Sequence, residues 1–337
     1  MTGKPAVPLG GAMPVAAPRL APGGVPVAPP RMAASGAQWA VLDTGTHHFQ
    51  HGPIDLIVRV DGPWASAGNA DAAWQRFGVI LPELVAELPV LRQPVPSSLT
   101  TASIDQRFAS PVARRMGEAC RPFRHGFVTP MAAVAGAVAD EVLQALLSGT
   151  AADESRVRRA FVNNGGDIAL YLAPGESWTV GLVSNPQAVR FHSSSGRLGA
   201  DGCFTLHAGQ GIGGIATSGW RGRSFSLGIA DSVTVFAANA ALADVAATLI
   251  ANQVNADHPA ILRAPADTLK DDTDLGSRRV TVDVGPLPPE VVRDALLQGT
   301  QLARQWQRSG LIAGAVLVLQ GQVQLVLPDQ HGVFLST

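Results

Sequence analysis

Three short segments combine residue types that bind anions or metal ions. The first is Asn163-Asn164-Gly165-Gly166-Asp167. Two adjacent glycines let a ligand approach the backbone closely, and the flanking amides and the carboxylate can hold its polar groups. The same composition is typical of a sharp turn between two strands. The segment therefore predicts either a tight turn or a ligand cradle, with Asp167 as a candidate general base.

A second segment, residues 209–219, is rich in glycine. Its spacing over residues 209–214 is similar to G-x-G-x-x-G, but a strand-like segment follows instead of a helix, so we do not predict a dinucleotide-binding turn. A loop that can surround a phosphate or carboxylate remains. The small and polar residues at its end are Thr217, Ser218 and Gly219. Arg221 and Arg223 follow and suit an anion, although exposed arginines are often only solvated.

The third segment places Asp244 four residues before Thr248. Positions i and i+4 share one face of a helix, so a carboxylate and a hydroxyl would point the same way. Both are oxygen ligands that suit magnesium. Asp140, in an earlier alanine-rich segment, is a second candidate general base. Aspartates on helices more often cap or face solvent than catalyse.

Helical spacing and capping residues predict four helices that position these segments. Thr129–Leu147 has Thr129 as its expected N-cap and Pro130 in its first turn, where proline is tolerated. Its face is almost entirely small residues, which lets a helix approach another backbone closely. The other predicted helices are Ala70–Leu88, interrupted at Pro82, Asn239–Asn252 and Pro289–Ser309.

Apolar runs predict antiparallel strands between the helices. Two runs flank the Asn-Asn-Gly-Gly-Asp segment within residues 159–172. The remaining predicted strands are residues 38–42, Ile54–Val60, Trp178–Val183, Phe204–His207, Gly214–Thr217, Ser232–Phe236, Ala315–Leu319 and Gln322–Leu327. We therefore expect an α+β fold of two related halves, each pairing antiparallel strands with an alanine-rich helix.

Composition and charge limit the classes of partner and the cellular compartment that we expect. The 25 lysines and arginines balance 26 aspartates and glutamates, so no basic surplus predicts nucleic-acid binding. No stretch reads as a bilayer helix, which predicts a protein without a membrane anchor. The chain has only Cys120 and Cys203, and no cleavable signal peptide is visible, so we expect a cytoplasmic location. Cys120 is expected to be buried and inert.

The first 35 residues are almost all Ala, Pro, Gly and Val, a composition that predicts a disordered tail. A folded domain is expected over residues 36–337. The sequence leaves two questions open: whether the tail binds a protein partner, and whether the domain forms a homo-oligomer.

Four ordered motifs resemble one known family. They are TPMAAVAGAVADEV (Thr129–Val142), NNGGDI (Asn163–Ile168), GIATSG (Gly214–Gly219) and ADSVTVFAANAALADVAAT (Ala230–Thr248). In this order they resemble the uncharacterised protein family related to ApbE, over roughly residues 40–327. ApbE proteins are magnesium-dependent flavin transferases that move FMN from FAD onto a threonine of a target protein and release AMP.

The resemblance implies an ApbE-like fold and assigns roles to matching residues. The metal ligands would be Asp244 and Thr248. The cofactor-binding residues would be Met131, Asn164, Gly165, Gly166, Thr217, Ser218 and Gly219. FAD and magnesium are thus the expected ligands, and a small anionic molecule is the expected substrate.

The sequence also departs from the family pattern. Val134-Ala135-Gly136 replaces an Ala-Lys-Gly of ApbE, and no His-x-x-Asp-Pro-x-Thr-Gly segment precedes Ser232. Asn163 and Arg223 replace a Glu and a His of the uncharacterised relatives. Two alternatives to flavin transfer therefore stay open. One is a hydrolase or ring-opening enzyme for a small anionic metabolite that uses Asp167 or Asp140, and the other is a non-catalytic flavin- or ligand-binding protein.

Overall fold

The computed structural model describes residues 31–43, 45–62, 67–148, 157–182, 191–192, 197–198 and 202–327. The strands are β1 (Arg31–Met32), β2 (Gln38–Asp43), β3 (Thr46–His51), β4 (Ile54–Asp61), β5 (Arg159–Asn164), β6 (Asp167–Leu172), β7 (Ser177–Leu182), β8 (Phe191–His192), β9 (Arg197–Leu198), β10 (Gly202–His207), β11 (Gly214–Ser218), β12 (Ser232–Ala237), β13 (Ile261–Pro265), β14 (Arg279–Val284), β15 (Gly314–Leu319) and β16 (Gln322–Val326). The α-helices are α1 (Ala67–Leu91), α2 (Thr101–Arg107), α3 (Pro111–Cys120), α4 (Val134–Ser148), α5 (Ala240–Gln253) and α6 (Pro289–Arg308).

A ten-stranded sheet in the order β1-β2-β3-β4-β5-β6-β11-β12-β15-β16 organises the fold. Every neighbouring pair in it is antiparallel. Most of the predicted strands therefore belong to one continuous sheet, whereas the predicted strands Trp178–Val183 and Phe204–His207 form the separate β7–β10 hairpin as far as Leu182 and His207. The α+β class with antiparallel strands is confirmed.

Alternating side chains build a core on each face of the sheet, as the pleat requires. On β11, Ala216 enters the core under the helices, whereas Ile215 enters a smaller core. On β12, Val235 and Phe236 divide in the same way. Phe204 of β10 fills the smaller core, so the β7–β10 hairpin covers that face.

Small residues allow α4 and α5 to cross at very short range. A Cβ at Gly136 of α4 would overlap the backbone of Ala240 and would lie 2.7 Å from the amide nitrogen of Ala241. A Cβ at Gly214 of β11 would overlap the backbone of Asn239 and Ala240. The high alanine and glycine content of these segments is thus explained by backbone-to-backbone packing.

Two predictions about helices are wrong in detail. Pro82 does not interrupt α1, which continues to Leu91, because Phe77, Ile80 and Leu84 bury an apolar face that offsets the missing hydrogen bond. Thr129 makes no capping hydrogen bond, and its hydroxyl donates to the Asp274 carboxylate instead. A 3-10 turn, Pro130–Ala133, precedes α4.

The chain ends of the described part refine the domain prediction. Arg31 and Met32 pair with β2 as strand β1, although they lie within the segment expected to be a tail. Residues 1–30 lie outside the described residues, as do residues 328–337. The expected strand Trp178–Val183 is observed to Leu182, and Val183 is likewise outside.

One helical segment in the described part, Pro130–Ser148, is long and apolar enough to cross a bilayer by length and composition alone. More than half of it is buried inside the fold. It packs against α1, α3 and α5. Core helices of globular domains share these properties, so the segment is weak evidence for a membrane span.

Candidate functional site

The three segments singled out in the sequence converge at one place. The β5–β6 turn meets the end of β11, because the Thr217 amide donates to Asp167 Oδ1 at 3.3 Å. The start of α4 meets α5, because the Gly136 amide donates to Asp244 Oδ2 at 3.0 Å. Asn164 of the β5–β6 turn donates to the Ala135 carbonyl of α4, and the Thr248 hydroxyl of α5 lies 3.5 Å from Ser218 Oγ of β11, so the two pairs belong to one site.

The β5–β6 turn is shaped by its two glycines and by the asparagines before them. Gly165 has φ +66° and Gly166 has φ +114°, which side chains rarely tolerate. Asn163 Oδ1 accepts from the Gly166 amide at 2.8 Å, and Asn164 Nδ2 donates to the Ala135 carbonyl at 3.1 Å. The predicted tight turn is therefore present and is tied to the start of α4, and the role of this turn as a ligand cradle stays a prediction.

Asp167 occupies the mouth of this turn. Its carboxylate is half-buried, and burial raises its pKa to about 7, although the Thr217 amide and the positive charge of Arg223 act in the opposite direction. A carboxyl group with a pKa near neutrality exchanges protons readily at working pH. The predicted role of Asp167 as a general base is thus chemically feasible at this position.

Asp244 faces Asp167 from the first turns of α5. Burial raises the pKa of Asp244, and the nearby negative charge of Asp167 raises it further. Thr248 lies one turn later, and its hydroxyl is 3.5 Å from Ser218 Oγ. Within the described residues, neither Asp167 nor Asp244 has an ion pair shorter than 4.0 Å. Enclosed carboxylates without a cation are costly unless they are protonated or bind a metal ion.

Asp140 has a different position from the one its candidate catalytic role needs. Its two carboxylate oxygens accept from the amides of Ala240 and Ala241 at 3.0 and 2.9 Å. Asn239 caps the next amide, so the first turn of α5 is satisfied by side chains. Both oxygens of Asp140 are occupied by this cap, and we assign it a structural role.

Asp140 and Asp244 make reciprocal hydrogen bonds between α4 and α5. Asp140 of α4 binds the N-terminal amides of α5, whereas Asp244 of α5 binds an amide in the first turn of α4. Each carboxylate lies against the positive end of the other helix. These reciprocal hydrogen bonds fix the crossing of the two helices and therefore the position of Asp244.

The loop between β11 and β12 carries two arginines with different surroundings. Arg221 pairs with Asp231 at 3.0 Å, and Asp231 also accepts from the Trp220 indole at 3.2 Å. Arg223 instead extends to the β5–β6 turn, where a Cβ on Gly165 would overlap its guanidinium. Only the second of the two predicted anion-binding arginines therefore reaches the site.

The remaining predicted residues divide between the site and its surroundings. Thr217 is exposed beside Asp167, and its hydroxyl is 2.8 Å from the Thr234 hydroxyl. Gly219 is buried against the backbone of Asp231, and Met131 packs against the main core. The glycines before β11 lie at the other end of that strand, about 15 Å from Ser218 at ~3.3 Å per residue. They do not contribute to the site.

The donor types fit a hard divalent cation. The Asp244 carboxylate and the Thr248 hydroxyl share a helix face, and the Asp167 carboxylate faces them. The part of the chain that the structure describes has no group of three or more His, Cys, Asp or Glu side chains placed to hold a metal ion by themselves. Mg²⁺ usually binds one or two carboxylates and completes its shell with water and phosphate oxygens.

Several contributors could not be found from local sequence. The Thr234 hydroxyl lies 2.8 Å from that of Thr217, Asp231 accepts from Arg221, and Asp274 accepts from the Thr129 hydroxyl before α4. Asp274 is 145 residues from its partner. Asp231 and Thr234 lie within the Ala230–Thr248 motif, but the motif does not indicate which residues they bond, and Asp274 lies in no motif.

Comparisons with known proteins define the family. A family model described as "AbpE bacteria" matches residues 39–325, and the chain therefore belongs to this family. This match confirms the expected relation to ApbE. The UPF0280 protein MK0206 of Methanopyrus kandleri is 36% identical over 209 residues, covering 61% of this chain and 72% of that protein.

Other relatives match shorter parts. A UPF0280 protein of Methanothermobacter thermautotrophicus is 38% identical over 144 residues, covering 43% of this chain and 48% of the relative. This chain thus spans about half the length of that relative. The crystal structure of an ApbE protein from Thermotoga maritima is similar with a TM-score of 0.44 at 14% identity, covering 86% of this chain and 96% of that one.

Proposed function

We propose that the protein is a magnesium-dependent enzyme that binds FAD and transfers its FMN group to a protein threonine. The observation that carries the proposal is the convergence of two half-buried carboxylates, Asp167 on the Thr217 amide and Asp244 on the Gly136 amide, neither with an ion-pair partner among the described residues. Membership of the ApbE-related family supports the choice of ligand.

Asp244 and Thr248 would hold the magnesium ion, which supplies a positive charge against the pyrophosphate of FAD when bound. The Gly136 amide donates to Asp244 Oδ2 at 3.0 Å, and the backbone of Ala135 also hydrogen-bonds this carboxylate, so a cation would share Asp244 with these amides. The Gly165-Gly166 turn leaves backbone exposed to a ligand, and the Thr217 amide holds Asp167 beside it. Asp167, with a pKa of about 7, would accept the proton of the attacking hydroxyl.

Calorimetric titration with FAD, with and without magnesium, tests this proposal. We expect magnesium to strengthen the binding of FAD to the wild type. In Asp244→Asn we expect this gain in affinity to be at least tenfold smaller. Asparagine keeps an oxygen that can accept from the Gly136 amide, so the variant separates charge from helix packing. Asp294→Asn removes an exposed aspartate of α6 and should bind as the wild type does. Failure of the wild-type protein to bind FAD in either condition would refute the proposal.

A second candidate function is hydrolysis of a small phosphorylated anion, which the pKa of Asp167 favours. Val134-Ala135-Gly136 also lacks the lysine of the ApbE pattern, so this chain departs from the pattern that implies flavin transfer. Incubation with FAD and magnesium, followed by chromatography, distinguishes the two. AMP and FMN released in water alone would indicate hydrolysis. AMP released only with an acceptor protein would indicate transfer, and binding without AMP would indicate a ligand-binding protein.

A further inference from the structure

The loop between β11 and β12 presents a guanidinium that is not committed to the fold. Arg223 is exposed, and it makes no hydrogen bond or ion pair with any residue that the structure describes. Arg221, two residues earlier, bonds Asp231 and stacks on Trp220 with its guanidinium carbon 4.8 Å from the ring centre. The same loop therefore contains one structural arginine and one free arginine.

A backbone hydrogen bond at the base of the β11–β12 loop limits the positions that the Arg223 side chain can reach. The Trp220 amide donates to the Ala230 carbonyl at 3.0 Å, which closes the base of the loop. From this closed base the Arg223 side chain lies against the β5–β6 turn, with its guanidinium carbon 2.9 Å from the position of a Cβ on Gly165. Glycine at position 165 lets the guanidinium lie this close to the turn, and its φ of +66° also favours glycine there.

The surroundings of Arg223 favour an anion in the site. Its charge lowers the pKa of Asp167, yet Asp167 is bonded to the Thr217 amide and not to the guanidinium. All five guanidinium N–H donors thus remain available, and their fork geometry matches the oxygens of a phosphate. A bidentate ion pair with Asp167 would have used two of these donors.

We propose that Arg223 binds the phosphate oxygens of the ligand above the Gly165-Gly166 turn and makes the site prefer phosphorylated over neutral molecules. The role rests on the proposed function, since it concerns the same site. It adds the residue that determines specificity and the chemical group that this residue recognises.

Titration with inorganic pyrophosphate, FAD and riboflavin tests the role, in the presence of magnesium. We expect Arg223→Gln to weaken the binding of pyrophosphate and FAD at least tenfold, as the loss of charge-assisted hydrogen bonds requires. Arg223→Lys should recover part of this loss, because lysine keeps the charge without the planar fork. Affinity for riboflavin, which has no phosphate, should not change.

Arg221→Gln is the matched control, since it removes the same charge from the same loop. We expect it to bind pyrophosphate within twofold of the wild type and to unfold at a lower temperature, because it loses the bond with Asp231. Equal affinity of Arg223→Gln and the wild type would overturn the role, and so would an equal loss in both variants.

The outcomes also separate this role from the proposed function. Binding of FAD by the wild type and equally by Arg223→Gln would refute the role alone. Binding of pyrophosphate that depends on Arg223, without binding of FAD, would refute the flavin proposal and support the role. A wild-type protein that binds neither anion would refute both.

Discussion

The close crossing of α4 and α5 predicts a large effect from one added methyl group. Gly136→Ala would place its Cβ 2.7 Å from the Ala241 amide nitrogen and in overlap with the Ala240 backbone. Favourable contacts between carbon atoms begin at about 3.5 Å. Because the obstructing atoms are backbone, rotation of a side chain cannot relieve the overlap, and the two helices must separate.

The expected cost follows from three contributions. Overpacking of a core costs about 1–3 kcal/mol. Separation of the helices also lengthens the bond from the Gly136 amide to the Asp244 carboxylate, and a hydrogen bond to a charged group contributes roughly 1.5–3 kcal/mol. Alanine gains about 1 kcal/mol over glycine in helix propensity. The net loss in the free energy of unfolding is therefore about 2–5 kcal/mol.

Urea unfolding followed by tryptophan fluorescence measures this loss. Gly78→Ala is the matched control, because Gly78 is also inside a helix but its nearest neighbour to an added Cβ is Ser35 Oγ at 3.9 Å. We expect the control to be neutral or up to about 1 kcal/mol more stable. Stability of Gly136→Ala within about 0.5 kcal/mol of the wild type would refute the reasoning, since ordinary surface substitutions fall in that range.

Three further predictions concern individual side chains. Burial raises the pKa of Asp167 to about 7, so the folded state holds its proton more tightly than the unfolded state, and wild-type stability should fall relative to Asp167→Asn as the pH rises from about 4 to about 7. Thermal unfolding at pH 5 and 8 without magnesium measures this, and a constant difference would contradict it. Asp140→Ala should lose about 2–4 kcal/mol, because two amides of α5 lose a charged acceptor; a loss in urea unfolding under about 1 kcal/mol would argue against the cap. Burial raises the pKa of the Cys120 thiol, so in Cys203→Ser a thiol reagent at pH 8 should react only after the protein unfolds, and rapid reaction of the folded protein would be inconsistent with that burial.

Local patterns in the sequence were sufficient for the elements that carry the site. The Gly165-Gly166 pair between two apolar runs predicted a hairpin turn, and the structure pairs Asn164 with Asp167 across it. The alanine-rich runs predicted α4 and α5, with Asn239 next to the start of α5. These features follow from residues that are close in sequence.

Long-range contacts could not be predicted in the same way. Nothing near Thr129 indicates that its hydroxyl binds Asp274, and nothing near Asp140 shows that its carboxylate caps a helix 100 residues later. Aspartates in helices look alike until the packing of the chain is known. The different roles of Asp140 and Asp244 therefore required the structure.

The reciprocal hydrogen bonds between α4 and α5 also determine at which stage of folding the site can form. They join residues that are 100 to 108 positions apart. During synthesis, α4 and the β5–β6 turn leave the ribosome before α5. Asp167 is therefore made before Asp244, the carboxylate that faces it. Contacts of such high sequence separation require the closure of long loops, which slows folding. The site is thus complete only once α5 has packed on α4, and a ligand that binds the completed site stabilises the folded chain.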